Sequence, residues 1–165
     1  MQTEWLPIVD ETDQVIGQKT RQQIHQLQLR HRAVHILVFN SQGQIFLQKR
    51  SMQKDLNKGL WDTSAAGHVD PGETYLQTAR RELQEELGID AELQFLFKLD
   101  ASEQTGMEFI EVYRCVHEGP FDLNPQEIDD GVWMTPDALQ EQLTHETLPV
   151  TETFKLIWQQ YQKQT

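Results

Sequence analysis

The sequence predicts an α/β protein, a mixed β-sheet held between helical layers. Two observations carry this. Short apolar or alternating runs, each bounded by turn residues, lie on both sides of one amphipathic helix that carries Leu76, Ala79, Leu83 and Leu87. Two further helical segments close the chain after Pro136 and Pro149. At 165 residues the chain can bury a substantial core in one unit, so a single domain over 1–165 is expected.

In chain order, Ile8 to Lys19 reads as a hairpin turning at Asp10 to Gln14, followed by a short helix over Thr20 to Leu27. Ala33 to Asn40 is an apolar strand, and Ser41-Gln42-Gly43 turns it back into QIFLQKR. A strand over Leu60 to Ser64 follows. Pro71-Gly72 then introduces the amphipathic helix, in which Leu76, Ala79, Leu83 and Leu87 form a stripe and Gly88 supplies the stop. Strands are expected over Leu93 to Leu99, Glu108 to His117 and Val132 to Thr135. Pro136-Asp137 opens a helix, and in the last helix Phe154, Ile157, Trp158 and Tyr161 form a stripe for core packing.

The functional signal sits at Gly67 to Ile89, GHVDPGETYLQTARRELQEELGI. Glu82, Glu85 and Glu86 fall at spacings of three and four, so they share a helix face opposite the apolar stripe. Like charges so close raise one another's pKa unless a cation lies among them. Such a patch is either a site for a hard divalent metal with oxygen ligands or a solvated acidic face. Spacing alone leaves both open. Arg81 follows Glu73 by eight residues, so the two meet only if the preceding loop folds back over the helix.

This segment resembles the Nudix box, G-x(5)-E-x(7)-R-E-U-x-E-E-x-G-U, where U is bulky and aliphatic. Gly67, Glu73, Arg81, Glu82, Leu83, Glu85, Glu86, Gly88 and Ile89 fill all nine fixed positions. The resemblance implies a Nudix-type α/β/α sandwich and hydrolysis of a diphosphate linkage in a nucleoside-diphosphate-like or related compound. It implies Mg²⁺ or Mn²⁺ on Glu82, Glu86 and Glu85, with the Gly67 carbonyl assisting. Glu82 or Glu85 would orient or deprotonate the attacking water, and Glu73 and Arg81 would clamp the loop to the helix.

Outside the box, HRAVHILVFNSQGQIFLQKRS from His31 and KGLWDTSAAGHVDPGE from Lys58 are similar to the Nudix branch of type I isopentenyl-diphosphate isomerase. Glu127-Ile128 followed by Val132-Trp133 is similar to the downstream Nudix element that closes over substrate. The branch resemblance implies a diphosphate grip at Arg50 and Lys54, and a further metal set at His25, His31 and His68. Of that set's two downstream glutamates, Glu111 matches one position and Phe109 occupies the other. The isomerase also needs a cysteine immediately before its glycine-histidine pair. Here that position is Ala66, preceded by Ala65, and neither can transfer a proton. Isomerase activity is therefore rejected. The remaining rival, a non-catalytic diphosphate-binding module, has no reason to keep three mutually repelling glutamates.

The other polar and aromatic residues carry less. His35 lies mid-strand and is expected to be packed and hydrogen-bonded, while His117 and His145 carry no motif. Trp61 is a candidate pocket ring for stacking on a base, and Trp133 is equally suited to core. The single cysteine, Cys115, reads as a small buried residue and excludes an internal disulfide.

A net charge of −12 argues against binding nucleic-acid polymers. Within 19–58, however, Lys19, Arg21, Arg30, Arg32, Lys49, Arg50, Lys54 and Lys58 face one acid, Asp55. They either gather into an anion-binding surface or scatter over several faces. No apolar run reaches membrane-span length, and MQTEWLPIVDE lacks signal-peptide character. A cytoplasmic enzyme acting on a small diphosphate compound is the expectation, with no membrane partner.

Overall fold

The spine of the molecule is β3 (His31–Phe39), whose near-continuous apolar sequence is buried on both faces, as a central strand requires. The computed structural model describes residues 3–165. Among these, the main sheet has seven strands, with β3 paired in parallel to β8 (Glu108–Val116) and antiparallel to β6 (Ala65–His68). The strand β4 (Ile45–Arg50) meets β3 at one pair, Phe39–Ile45, and then runs along β9 (Ile128–Met134). The edges are β5 (Trp61–Asp62) beside β4 and β7 (Gln94–Leu99) beside β8. The sheet is therefore mixed and splayed. Ser64 bridges the diverging strands, accepting from the Val38 amide at 2.8 Å and donating to the Phe46 carbonyl at 2.5 Å.

Alternation along β3 divides the core into two layers. Val34, Ile36 and Val38 pack with Ala79, Leu83 and Leu87 of α2 (Tyr75–Leu87). Ala33, Leu37 and Phe39 pack with Leu139 of α3 (Pro136–Thr144) and with Phe154, Ile157, Trp158 and Tyr161 of α4 (Glu152–Gln164). This is the α/β/α sandwich that the sequence implied.

Local signals set the helix ends. Thr74 caps α2 by accepting from the Gln77 amide while the Gln77 side chain returns to the Thr74 amide, and Gly88 ends the helix in the left-handed region. Thr20 and Gln23 form the same capping box on α1 (Arg21–Leu27).

Two sequence expectations need correction. Leu76 does not join the buried stripe of α2. It lies in the first turn at 46% exposure, and Thr78 takes the inward position there. The strand expected over 60–64 is only β5, because the chain turns at Thr63-Ser64 to start β6, which carries Gly67.

The N-terminal hairpin, β1 (Trp5–Val9) with β2 (Val15–Thr20), forms a separate two-stranded sheet. Asp13 at its tip latches it to the body. The buried Asp13 carboxylate accepts from Arg32 Nε and Tyr75 Oη, both at 2.7 Å, and from Lys98 Nζ. Among the described residues no helix is long and apolar enough to cross a membrane.

Candidate functional site

A cavity of about 950 Å³ opens where α2, the C-terminal end of β6, the β4–β5 loop and α1 converge. Glu82, Glu85, Glu86, Gly67, His68, Arg50, Lys54 and Arg81 all line it.

The box loop is tied to α2 through one ion-pair fan. Arg81 donates to Glu73 through Nε at 2.9 Å and Nη2 at 3.0 Å, and reaches the His68 carbonyl at 3.2 Å. Its Nη1 donates to Glu82 at 2.9 Å and Glu85 at 3.2 Å. Glu73 also accepts from the Asp70 amide and the Thr78 hydroxyl. The Arg81 bonds hold the Glu73 carboxyl below the usual range.

Glu82 lies flat against Gly67: a Cβ built there would come within 2.2 Å of the Glu82 Cδ. Glycine is therefore required by close approach, since Gly67 is not among the glycines with positive φ. Burial pushes the Glu82 carboxyl up to about 7 against the pull of Arg81, with Glu85 adding to the rise. Glu86 is more deeply buried and accepts from the Ala66 amide at 3.0 Å and Gln48 Nε2 at 3.2 Å. Burial, then the charge of Glu82, pushes its carboxyl well above the ordinary range. Glu127, paired with Lys54 on the same cavity wall, adds to both shifts. Glu85 sits at the rim, its side chain 54% exposed. The donor set is all oxygen, with Glu82 and Glu86 each anchored by hydrogen bonds, and it fits a hard divalent cation.

A second cluster lies beside the box. Ring nitrogens of His25, His31 and His68 lie within 4.8 Å of one another. His31 Nδ1 contacts the Leu29 carbonyl at 2.9 Å, which puts a proton on Nδ1, and its buried Nε2 has no hydrogen-bond partner. Glu108 Oε2 is 2.9 Å from His68 Nε2 and 3.4 Å from His31 Nε2. Burial opposes a charged His68, yet bonds to Glu108 and Glu4 raise it to about 9. Burial would likewise raise Glu108, but the two imidazoles hold it far below the usual range.

The carboxylate beside these histidines is Glu108, not the Glu111 that the resemblance pointed to. Glu111 and Phe109 lie on the other face of β8, where Glu111 accepts from Tyr113 Oη at 2.6 Å and Phe109 is buried. Glu108 reaches the histidines because the parallel β3–β8 register sets it opposite His31.

Of the eight cations in residues 19–58, Arg21, Arg50 and Lys54 line the cavity. Arg50 donates to the Leu56 carbonyl at 3.0 Å, and Arg21 pairs with Asp55 at 2.7 Å while its buried Nε has no partner. Arg32 is instead part of the Asp13 latch. Arg21 was the cation with no motif to single it out.

Trp61 does not line the cavity. It pairs with Lys49 and packs against the α3–α4 layer, while Trp133 stacks edge-on with Phe46 in the α2 layer. His35 is buried as expected, but it also lines the cavity, together with Asp62. His117 accepts from the Gly119 amide, and His145 caps α3; neither lines the cavity. Cys115 is buried on β8 away from it.

Comparison with known proteins agrees with this geometry. A family profile for the NUDIX domain matches residues 29–154. A Nudix hydrolase of Yersinia pestis, named as uncharacterized, is 43% identical over 141 residues, covering 82% of this chain and 75% of its own. An isopentenyl-diphosphate Delta-isomerase of Serratia proteamaculans is 37% identical over 158 residues, covering 94% of this chain and 87% of its own. The crystal structure of DR0079 from Deinococcus radiodurans superposes with a TM-score of 0.82 at 30% identity, covering 93% of this chain and 97% of that one.

Proposed function

Because the chain belongs to the NUDIX domain family, in a branch shared with isopentenyl-diphosphate isomerases, we propose that it is a metal-dependent hydrolase cleaving a phosphoanhydride bond in a small diphosphate compound. The observation that carries this reading is the pair of carboxylates, Glu82 and Glu86, held side by side in a cavity that also presents Arg50 and Lys54.

Glu82, Glu86 and Glu85, with the Gly67 carbonyl, would hold Mg²⁺ or Mn²⁺, which when bound neutralises diphosphate charge and lowers the pKa of a coordinated water. The chain's own groups supply the rest. Arg81 and Glu73 fix the Glu82 carboxylate, while Gln48 and the Ala66 amide fix Glu86. Arg50 exchanges its bond to the Leu56 carbonyl, and Lys54 its bond to Glu127, for phosphate oxygens. Glu82 or Glu85 accepts the proton of the attacking water. His25, His31, His68 and Glu108 would hold a second divalent cation, a reading supported by the unpartnered His31 Nε2.

Isomerisation is not part of this reading. Ala66 stands before Gly67 and carries no thiol, and the chain's one cysteine lies outside the cavity. The proposal takes the chain as one catalytic domain working in the cytoplasm, in keeping with its single, buried cysteine.

The test is phosphate release from a panel of diphosphate compounds, with Mg²⁺ and Mn²⁺ in parallel, by wild type and Glu86→Gln. The expected result is metal-dependent release that falls at least about 10³-fold in Glu86→Gln while the fold persists. Full activity in Glu86→Gln refutes the site, and tight ligand binding without product in wild type favours the binding-module rival.

A further inference from the structure

The cavity walls say what kind of group accompanies the diphosphate. Among the described residues, no Phe, Tyr or Trp lines the cavity. A nucleobase is commonly held by stacking on such a ring, and this cavity has none to give. A prenyl chain needs continuous apolar surface, since its binding gain comes from burying each methylene. The apolar lining side chains are Ile24, Ala33, Leu56, Ala66 and Met107, contributed by five separate segments. Hydrogen-bonding groups dominate instead. Gln28, Asn57 and Gln104 contribute side-chain amides, and Thr153 stands beside Gln104 with its hydroxyl 3.4 Å from that residue's carbonyl.

His35 adds a directed acceptor. Its Nδ1 lies 2.7 Å from the Thr63 hydroxyl and 3.8 Å from Asp62 Oδ1. The Thr63 hydroxyl proton is directed to the Ala65 carbonyl at 3.3 Å, so the hydroxyl oxygen accepts from His35, and the Asp62 carboxylate favours the proton on the same nitrogen. The other nitrogen, Nε2, is left with a lone pair. It makes no hydrogen bond and is not among the fully enclosed polar atoms, although the residue is only 5% exposed and lines the cavity. Desolvation holds the imidazole neutral by lowering its pKa, which keeps that lone pair available.

We propose that the site selects a polyhydroxylated, non-aromatic diphosphate, a sugar or polyol carrying the phosphoanhydride, and that His35 Nε2 accepts a hydrogen bond from one of its hydroxyls. This rests on the hydrolase reading and narrows its substrate. Water adds across the P–O–P bond, one phosphorus taking the hydroxyl oxygen and the departing phosphate taking the proton.

The probe is 5-phosphoribosyl 1-diphosphate, which has hydroxyls but no base and no prenyl chain; its products would be ribose 1,5-bisphosphate and orthophosphate. CDP and isopentenyl diphosphate are the comparators, each with Mg²⁺ and with Mn²⁺. The expected kcat/KM for the probe exceeds both comparators by at least about 10-fold, the discrimination that one mismatched group can supply. His35→Leu should raise KM for the probe roughly 3- to 10-fold with kcat within about 2-fold, and His35→Gln, which keeps an acceptor, should recover most of the loss. Gln104→Ala, at another lining residue, carries the same KM test should His35→Leu not fold. A faster reaction with CDP or isopentenyl diphosphate overturns the proposal and leaves the hydrolase reading standing, as does an unchanged KM in the folded variants. No phosphate from any of the three compounds or from the wider panel, with either metal, overturns both.

Discussion

Replacing Gly67 by alanine should disable the acidic cluster while leaving the fold in place. The added Cβ would stand 2.2 Å from Glu82 Cδ, where an ordinary contact begins near 3.4 Å, so the carboxylate must retreat by about 1.2 Å. Glu82 is held by Arg81 Nη1 at 2.9 Å, and a retreat of that size breaks the bond. A hydrogen bond to a charged group is worth about 1.5–3 kcal/mol, and a displacement near 1 Å of a positioned group costs on the order of 10²-fold in rate. Gly67 does not sit at positive φ, so alanine brings no backbone strain and the loss of stability should stay within that one bond. The assay is a Mn²⁺ titration by calorimetry, with urea unfolding and phosphate release measured on the same preparation. Expected are Mn²⁺ affinity lowered at least about 10-fold and turnover lowered about 10²-fold, with a cooperative unfolding transition retained. Turnover within about 3-fold of wild type would refute the reasoning, because it would mean that the Glu82 position against Gly67 does not matter.

Two further predictions concern charge. Asp13→Asn should destabilise the protein by about 2–4 kcal/mol, since it leaves Arg32 and Lys98 without their shared carboxylate, and unfolding in urea at pH 7 measures it. Burial alone would raise the Asp13 pKa, but bonds from Lys98, Arg32 and Tyr75 outweigh it and depress the carboxyl below its ordinary 3.8. Its contribution is thus present above that value and lost as pH falls through the folded-state pKa, so the gap between wild type and Asp13→Asn should narrow in acid. A constant gap down to full acid unfolding would contradict this. In the metal cluster the sign is opposite: Glu82 is raised to about 7 and Glu86 is raised as well, so protons compete with the cation. Mn²⁺ affinity should climb from pH 6 to pH 8 with measurable proton release, and a pH-independent affinity would argue against these carboxylates as ligands.

Much of this was legible in local sequence. Helix α2 and its Gly88 stop are written in one short run, and a spacing of three and four is enough to place Glu82, Glu85 and Glu86 on one face. The apolar run of β3 likewise announces a strand covered on both sides. Such features depend on contacts between near neighbours, which the helical and strand periods predict. Leu76 marks the limit even there, because Thr78 takes the inward position in the first turn of α2 and leaves Leu76 to solvent.

What the sequence by itself determined is the fold class, the family resemblance and the identity of the box carboxylates. Tertiary structure decided which distant residues join them. The parallel register of β3 and β8 selects Glu108 over Glu111 at the histidines, and the choice of partner strand leaves no local trace. The splay of β3 from β4 accompanies His35 and Asp62 at the cavity, and the residue before β1 and the start of α1 supply Glu4 and Arg21 to it. Trp61 went the other way, into the α4 layer, because β5 pairs with β4 and bridges to Val150. Periodicity says which residues share a face; only strand pairing, a choice among distant partners, says what that face meets.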